Sequence, residues 1–286
     1  MKQRAAIFAV FATLMFAGMA LFAKAAAVEI APPQLGFVRA AFGLIVVGLY
    51  SLRVPLHLVS KRGLFNRAAA GAVAVYLYFT AIAHLPVGVA TLLNYTAPVF
   101  TALWCAVLYR ERIERRTLQA LAITTVGIIL VLRGRATGSL TGIGVYELVG
   151  IGGAVFSGLA MCFITEVRRT DGSWEIFGAF SLGCLLVTTP ETVLHWHAPS
   201  AHAWLMIICM GMLSVTAQVM MTHSMGYLNA TLSGVINQLT PVASLTAGTY
   251  VFDERFGTLA WCGIGLTLVG GLFGAWLGAT PRRRSA

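Results

Sequence analysis

The stretch NYTAPVF at residues 94–100 has a counterpart, NQLTPVA, at residues 237–243, with Asn, Pro and Val at the same positions. This pair of stretches is the strongest indication of the fold. The two stretches are 143 residues apart, which is half of the 286-residue chain. Further identities at the same offset pair Glu111-Arg112 with Glu254-Arg255, and Thr124, Val126 and Gly127 with Thr267, Val269 and Gly270. Each stretch lies inside a long apolar segment. The alignment therefore predicts a duplicated unit built from apolar segments.

Composition places these segments in a membrane. Apolar residues make up 58% of the chain and charged residues only 10%, whereas a typical soluble domain is about 25% charged. The mean hydropathy is +0.82, which excludes a soluble enzyme, a disordered chain and a disulfide-stapled secreted module. The net charge of +10 comes from basic residues between the apolar segments. We therefore relate it to membrane topology and predict no nucleic-acid partner.

Ten segments are long enough to cross a membrane as helices, each of which needs about 20 apolar residues. They cover residues 5–23, 34–52, 68–84, 86–108, 117–133, 143–164, 174–193, 203–224, 229–251 and 258–279. Pro86 separates the third segment from the fourth, because a proline disfavours a continuous helix. The predicted fold is an all-α integral membrane protein with ten transmembrane helices embedded in the lipid bilayer.

The duplication divides the ten helices into two units of five, the first at residues 1–140 and the second at residues 141–286. Because five is an odd number, the second unit enters the membrane from the opposite face. Inverted repeats of this kind are typical of secondary transporters. Two inverted copies can exchange conformations, which gives inward-open and outward-open states of similar energy.

Lysine and arginine counts predict the orientation. The side that holds both termini carries 15 of these residues, including four in the loop before the third segment: Arg53, Lys61, Arg62 and Arg67. The opposite side carries four: Lys24, Arg133, Arg135 and Arg255. We therefore expect a multi-pass protein of a bacterial-type cytoplasmic (inner) membrane with both termini in the cytoplasm. The alternative for the first segment is a signal peptide, but its length and its counterpart in the second half favour a membrane span.

The paired Asn-to-Pro stretches, each followed at the same interval by Glu-Arg, resemble the drug/metabolite transporter superfamily, and more closely its ten-helix EamA-type exporters. The resemblance covers nearly the whole chain. It implies transport of a small metabolite through a central cavity by alternating access, and it does not imply one substrate. Members of the family often carry a glycine just before the glutamate, where this chain has Arg110 and Asp253.

Asn94 and Asn237 are the first candidates for substrate binding. Pro98 and Pro241 fall near the middle of their segments, and a helical proline leaves the carbonyl four residues earlier without its hydrogen bond. Those carbonyls belong to Asn94 and Asn237, so each site offers a backbone acceptor and a side-chain amide. Two matching helix faces result, one with Thr91, Asn94, Pro98 and Thr101, the other with Gly234, Asn237, Pro241 and Ser244. Either they line a solute cavity, or their polar groups cross-link helices.

A second polar set lies on the second, third and eighth segments. We expect Tyr76, Gln218 and His223 to hydrogen-bond with or stack on the solute, although tyrosine and histidine near segment ends also anchor proteins at the membrane interface. Arg39 lies about two helical turns inside the second segment, where a charge is costly. Arg39 binds a substrate carboxylate, pairs with Glu147, or extends its guanidinium to the interface.

The sequence says less about ion coupling of the transport and about cofactor binding. No carboxylate lies near the centre of a segment, so proton coupling would use Glu147 and His223, and uncoupled gradient-driven transport is equally compatible. The five cysteines lie in apolar segments without a CxxC pair, and the sequence predicts neither a metal nor another cofactor. Gly270, Gly274 and Gly278 permit close helix packing within the bundle or in a homodimer.

The leading hypothesis is a secondary transporter that exports small metabolites such as amino acids. A small polar or zwitterionic solute is favoured because no large charged set lies in the predicted cavity. The alternatives are an intramembrane enzyme and a membrane scaffold or receptor without transport. The chain has no HExxH, GxSxG or P-loop motif, which disfavours an enzyme and direct use of ATP. A scaffold would not need an Asn-xxx-Pro site in both halves.

Overall fold

The computed structural model describes residues 2–109, 115–134, 144–167, 170–225 and 239–279, and within these ranges the chain forms eleven α-helices and no strand. The helices are α1 (Lys2–Ala26), α2 (Pro32–Ser51), α3 (Lys61–His84), α4 (Val87–Asn94), α5 (Ala97–Tyr109), α6 (Arg115–Arg133), α7 (Val145–Val167), α8 (Ser173–Leu194), α9 (Ala201–Met225), α10 (Leu239–Val251) and α11 (Thr258–Ala279). An all-helical chain suits a bilayer, because a helix satisfies its backbone hydrogen bonds within itself.

Six segments of the described ranges are long and apolar enough to cross a membrane: Ile7–Ala26, Pro32–Ser51, Val87–Tyr109, Val145–Ile164, Ser173–Leu194 and Ala201–Met221. The segment Thr258–Gly270 is a shorter apolar helix. The composition-based prediction of a multi-pass membrane protein is confirmed at this level. Ten spans and their inverted arrangement stay a prediction.

Two differences between the helix bounds and the predicted segments are larger than a few residues or divide a segment. α3 begins at Lys61 rather than at residue 68, so Arg67 lies in a helix and not in a loop. A hydropathy criterion ends a segment where residues become polar, whereas a helix continues through lysine and arginine, which are good helix formers. The predicted segment 86–108 is two helices, α4 and α5. The first part of segment 229–251, which includes Asn237, lies outside the described residues.

The two halves of the chain share one core. α1 packs along α9, α3 lies between α7 and α8, and α4 packs on α10. The large buried side chains at the centre come from α3, α4, α9 and α10: Phe79, Ile82, Leu92, Met210 and Leu245. Every element that carries a candidate binding residue therefore contacts this core or a helix packed on it.

α6 and α11 pack mainly on each other, and glycines bring their backbones together. A Cβ atom on Gly263 would lie 2.6 Å from the carbonyl oxygen of Gly127 and 2.6 Å from the nitrogen of Val131. Only glycine permits an approach of this kind. The crossing accounts for Gly127 and Gly263, and the predicted homodimer through Gly270, Gly274 and Gly278 stays a prediction.

Asp171 holds two loops together at the ends of α2 and α7. Its carboxylate accepts hydrogen bonds from the backbone N–H groups of Val59 and Ser60, at 2.8 and 3.0 Å, and from the Thr170 hydroxyl at 2.7 Å. Burial of this carboxyl, which is 6% exposed, acts to raise its pKa, but the three hydrogen bonds outweigh burial and lower the pKa below its ordinary value. Asp171 thereby fixes the start of α3.

Replacing Asp171 by asparagine is expected to lower the free energy of unfolding at pH 7 by about 1–3 kcal/mol, because buried donors lose a charged acceptor. Since the folded pKa is depressed, this stabilisation is present above the unfolded pKa of about 4 and is lost as pH falls through the folded pKa. Thermal unfolding of both proteins in detergent, from pH 7 to pH 3, measures the difference.

The control for Asp171→Asn is Glu175→Gln, because Glu175 makes one longer hydrogen bond, 3.3 Å from the nitrogen of His57, in the same loop region. A stability difference for Asp171→Asn that stays constant down to pH 3, or that Glu175→Gln reproduces, would contradict this account.

Candidate solute-binding site

The helix that carries Asn94 is interrupted inside a candidate membrane span. α4 ends at Asn94 and α5 begins at Ala97, with a turn at Tyr95 and Thr96 between them. The Thr96 nitrogen donates to the Leu93 carbonyl at 3.1 Å, and the Thr96 hydroxyl donates to the same oxygen at 2.6 Å. Pro98 is the second residue of α5, where its missing N–H is not needed by the helix. An interruption at this depth is tolerated where the backbone is buried in protein or lines a cavity.

Asn94 and Thr91 connect this interruption to neighbouring helices. The Ser157 hydroxyl of α7 donates to Oδ1 of Asn94 at 3.1 Å, and the amide nitrogen of Asn94 makes no hydrogen bond to a described residue. The Thr91 hydroxyl, which is fully buried, lies 3.3 Å from the Tyr78 hydroxyl of α3. Among the described residues, the half-buried Asn94 is thus bonded through its oxygen only. Thr91 lies beside Tyr78, which is not among the residues predicted from the sequence.

The second Asn-Pro stretch is only partly described. Asn237 lies outside the described ranges, whereas Pro241 is the third residue of α10 and is buried. Ser244, on the same predicted face, is also buried, and its hydroxyl has no hydrogen-bond partner within the described structure. α10 crosses α4 so closely that a Cβ atom on Gly88 would lie 2.8 Å from the Cα of Leu245. α4 and α10, which carry the two Asn-Pro stretches or part of them, therefore pack directly on each other.

Arg39 points into the bundle. Its Nε donates to the Ser214 hydroxyl near the middle of α9 at 2.7 Å, and its guanidinium carbon lies 5.4 Å from the centre of the Phe180 ring in α8. Its contacts with described residues are with Ser214 and Phe180 and do not include Glu147. These contacts place the guanidinium of Arg39 between α8 and α9, and its role in binding a solute carboxylate stays a prediction.

Tyr76 and its neighbours lie on a different surface. The Tyr76 hydroxyl donates to Oε2 of Glu191 at 2.7 Å, and His84, two turns further along α3, stacks on Tyr146 with ring centres 3.8 Å apart. Gln218 is half-buried on α9, one turn beyond Ser214, and the side chain of His223 lies outside the description.

The described residues that the structure brings near one another are Arg39, Tyr78, Thr91, Asn94, Ser157 and Ser214. Tyr78 and Ser157 carried a detectable signal, since each is a polar side chain well inside an apolar segment.

A polar junction closes the bundle beside the start of α4. The backbone nitrogen of Val87, the first residue of α4, donates to Oε1 of Glu254 at 2.6 Å. Lys24 of α1 donates to the carbonyls of Ala83 and Leu85, at 3.1 and 2.8 Å. Asp253 directs Glu254 toward α4 through a φ of 50°, in the left-handed region that favours glycine and admits aspartate. The junction ties α1, α3 and α4 to the connection between α10 and α11.

Replacing Glu254 by glutamine is expected to lower the free energy of unfolding by about 1–3 kcal/mol, because the first N–H groups of α4 lose a charged acceptor and the helix dipole loses a nearby anion. The matched control is Asp253→Asn, the adjacent and exposed carboxylate, for which we expect a change within about 0.5 kcal/mol. Thermal unfolding in detergent compares the two. Equal effects at the two positions would show that the Val87 contact does not stabilise the junction.

Comparison with known proteins identifies relatives over almost the whole chain. The EamA-like transporter family model matches twice, at residues 3–133 and 144–274. The pseudopaline exporter CntI of Pseudomonas aeruginosa is 27% identical over 272 residues, covering 93% of this chain and 91% of the exporter. An uncharacterized transporter of Helicobacter pylori is 27% identical over 278 residues, covering 91% of each chain. A solved crystal structure with 20% identity has a TM-score of 0.66 and covers 99% of both chains, which shows a shared fold.

Proposed function

This chain belongs to the EamA-like transporter family, and we propose that it is a secondary transporter that exports a small metabolite by alternating access. It is a transporter rather than an enzyme. The observation that carries the proposal is the break between α4 and α5, which places Asn94 beside Ser157 within a candidate membrane span. Irregular backbone of this kind supports substrate binding in transporters. The Pseudomonas relatives are pseudopaline exporters, which supports export as the direction.

The proposed cycle uses two inverted five-helix units that rock around the site. The double match of the family model supports a duplicated chain. In the predicted orientation the Glu254–Val87 junction lies on the outer side, so it holds that side closed and must separate when the site opens outward. The close crossing of α4 and α10 at Gly88 and Leu245 provides a contact about which the two units can move. In the proposed topology the protein crosses the cytoplasmic membrane ten times, with both termini in the cytoplasm.

The proposed solute is small and polar or zwitterionic, such as an amino acid. Asn94 supplies hydrogen-bond donors and Ser214 orients the guanidinium of Arg39. We assign Asn94, Asn237, Thr91, Gln218 and Arg39 to the solute path. Tyr76 and His223 lie at its margin. Coupling to protons would use Glu147 and His223, and gradient-driven export would use neither.

Solute counterflow in proteoliposomes tests the proposed function. Vesicles containing the full chain are loaded with unlabelled amino acids, amines or organic acids, and entry of the matching labelled solute is followed with and without a pH gradient. We expect saturable entry of one solute class, absent from protein-free vesicles. Chemical conversion of a solute by the purified protein, or an absence of saturable entry for the whole panel, would overturn the proposal.

A further inference from the structure

Two arginines on neighbouring helices share one aromatic ring inside the bundle. The guanidinium carbon of Arg67, in α3, lies 4.5 Å from the centre of the Phe180 ring, and that of Arg39, in α2, lies 5.4 Å from the same point. The two distances bound the separation of the guanidinium carbons at about 10 Å. Phe180 is 6% exposed and packs in a cluster with Ala40, Ala72 and Cys184. Two positive charges therefore meet between α2, α3 and α8.

The described part of the chain leaves these charges largely without partners. Nε and Nη1 of Arg67 are inaccessible to solvent and have no hydrogen-bond partner among the described residues. Arg39 donates from Nε to Ser214, and its terminal nitrogens make no hydrogen bond to a described residue. A buried charge is costly unless it is paired and hydrogen-bonded, and two like charges at this separation repel each other. The site is therefore unfavourable unless an anion occupies it.

The contacts of the two arginines with described residues include no carboxylate. The carboxylates of the described ranges are those of Glu29, Glu147, Glu166, Asp171, Glu175, Glu191, Asp253 and Glu254, and none of them is among the charged groups that act most strongly on Arg39 or Arg67. The described groups close to the pair include the Phe180 ring, the Ser214 and Tyr78 hydroxyls and the Cys184 thiol. No described residue of the chain supplies the compensating negative charge.

Gly71 leaves the space that the pair needs. It lies one turn beyond Arg67 in α3, and a Cβ atom there would collide with Nη1 of Arg67 and lie 2.8 Å from the edge of the Phe180 ring. The guanidinium of Arg67 consequently rests against the helix backbone at a position where any side chain would displace it. Replacing Gly71 by alanine should therefore displace the guanidinium of Arg67 without removing its charge.

We infer that the Arg39–Arg67 pair binds a carboxylate group of the transported solute, which makes organic anions the substrate class. The inference rests on the proposed transport function and narrows it. The fork of a guanidinium matches a planar carboxylate through two parallel hydrogen bonds, and Phe180 holds both guanidinium groups on one ring. As whole residues, Arg39 and Arg67 are partly exposed, whereas Phe180 and Cys184 are buried. Since Nε and Nη1 of Arg67 are inaccessible in this conformation, a solute reaches them only when the bundle opens.

Ligand-induced stabilisation of the purified full chain tests the inference. Thermal unfolding is followed in an uncharged detergent, which removes lipid phosphates, with succinate or L-glutamate as probes. Succinamide and L-glutamine are the matches that lack one or both of these carboxylates, sodium chloride controls for ionic strength, and inorganic phosphate tests the other common oxyanion. We expect succinate and L-glutamate to raise the unfolding temperature through preferential binding to the folded state. L-glutamine, which keeps its α-carboxylate, should raise it less, and succinamide, which has no carboxylate, should not raise it.

The variants separate binding from a structural role. Arg67→Met is expected to weaken succinate binding at least about tenfold, because hydrogen bonds to charged groups contribute about 1.5–3 kcal/mol, and to raise the unfolding temperature of the empty protein, since a buried unpaired charge is removed. Arg67→Lys and Gly71→Ala should keep the fold and bind succinate several-fold more weakly. Arg115→Met, at an exposed position of α6, is the matched control and should bind as the unaltered protein does.

The inference is overturned if carboxylates stabilise the protein no more than their amide matches, if phosphate exceeds them, or if Arg67→Met destabilises the empty protein and still responds to succinate. Counterflow distinguishes this failure from that of the proposed function. Saturable flux of a neutral or cationic solute would support the proposed transport function and contradict the anion site. Arginine-dependent succinate binding without flux of any solute would leave an anion site in a protein that does not transport.

Discussion

Replacing Asn94 and Asn237 together by alanine is expected to reduce saturable solute flux at least about tenfold while the protein stays folded. Asn94 ends α4 at the break and accepts one hydrogen bond from Ser157, and in the proposed function its amide donates to the solute. Each lost contact to a solute is worth about 1 kcal/mol or more, and about 1.4 kcal/mol corresponds to a factor of ten. Initial rates of counterflow in proteoliposomes measure the effect.

The fold should survive this double substitution, because a polar contact between membrane helices contributes only about 0.6 kcal/mol on average. Gln119→Ala, which removes an exposed amide from α6, is the matched control and should transport at the unaltered rate. Full flux in the double variant would show that the two asparagines do not contact the solute. Loss of a monodisperse protein would show that they hold helices together instead.

Replacing Gly263 by leucine is expected to separate α6 from α11 and to cost about 3 kcal/mol or more of stability. The added Cβ atom would lie 2.6 Å from backbone atoms of Gly127 and Val131, and a backbone cannot move aside as a side chain can. Overpacking of this kind typically costs about 1–3 kcal/mol and sometimes more. The yield of monodisperse protein and its thermal unfolding midpoint report the outcome.

Gly265→Leu provides the control within the same helix, two residues away, because a Cβ atom at Gly265 meets nothing within 4 Å. Leucine at residue 265 should leave yield and unfolding midpoint close to those of the unaltered protein. If both leucine variants behave alike, helix propensity rather than the α6–α11 crossing explains the effect, and the described packing of these helices is wrong.

Helix positions were predictable because hydropathy and composition fix which segments enter a bilayer. The predicted segment 258–279 coincides with α11, and 174–193 differs from α8 by one residue at each end. Pro98 also indicated that the helix of this span is irregular. The structure shows more than a kink there, because a turn at Tyr95 and Thr96 divides the span into two helices.

The inner face of each helix was harder to predict. Tyr76 and Tyr78 are two residues apart, so they lie on nearly opposite faces of α3, and both faces carry polar groups. The sequence analysis selected Tyr76, whose hydroxyl binds Glu191, whereas Tyr78 contacts Thr91 at the site. Which face turns inward depends on tertiary packing, and periodicity within one helix does not contain that information.

Arg67 shows the same limit for residues near the end of a span. A charged residue next to an apolar segment is ordinarily assigned to a loop, and the count of positive charges depends on that assignment. In the structure Arg67 lies in α3, and its environment is created by α2 and α8. Arg39 and Arg67 are 28 positions apart in the sequence, and they come close together because both pack on the ring of Phe180. Neither helix alone indicates this contact.

The central claim is that the region around Asn94 opens in turn to the two sides of the membrane. A single cysteine at Ser157, which contacts Asn94, tests it in a chain whose five native cysteines are replaced. Modification by a membrane-impermeant maleimide is compared in vesicles of opposite orientation, with and without the solute found by counterflow. The account predicts labelling from both sides and slower labelling with solute present. Labelling from neither side, or from one side under every condition, would contradict alternating access at this site.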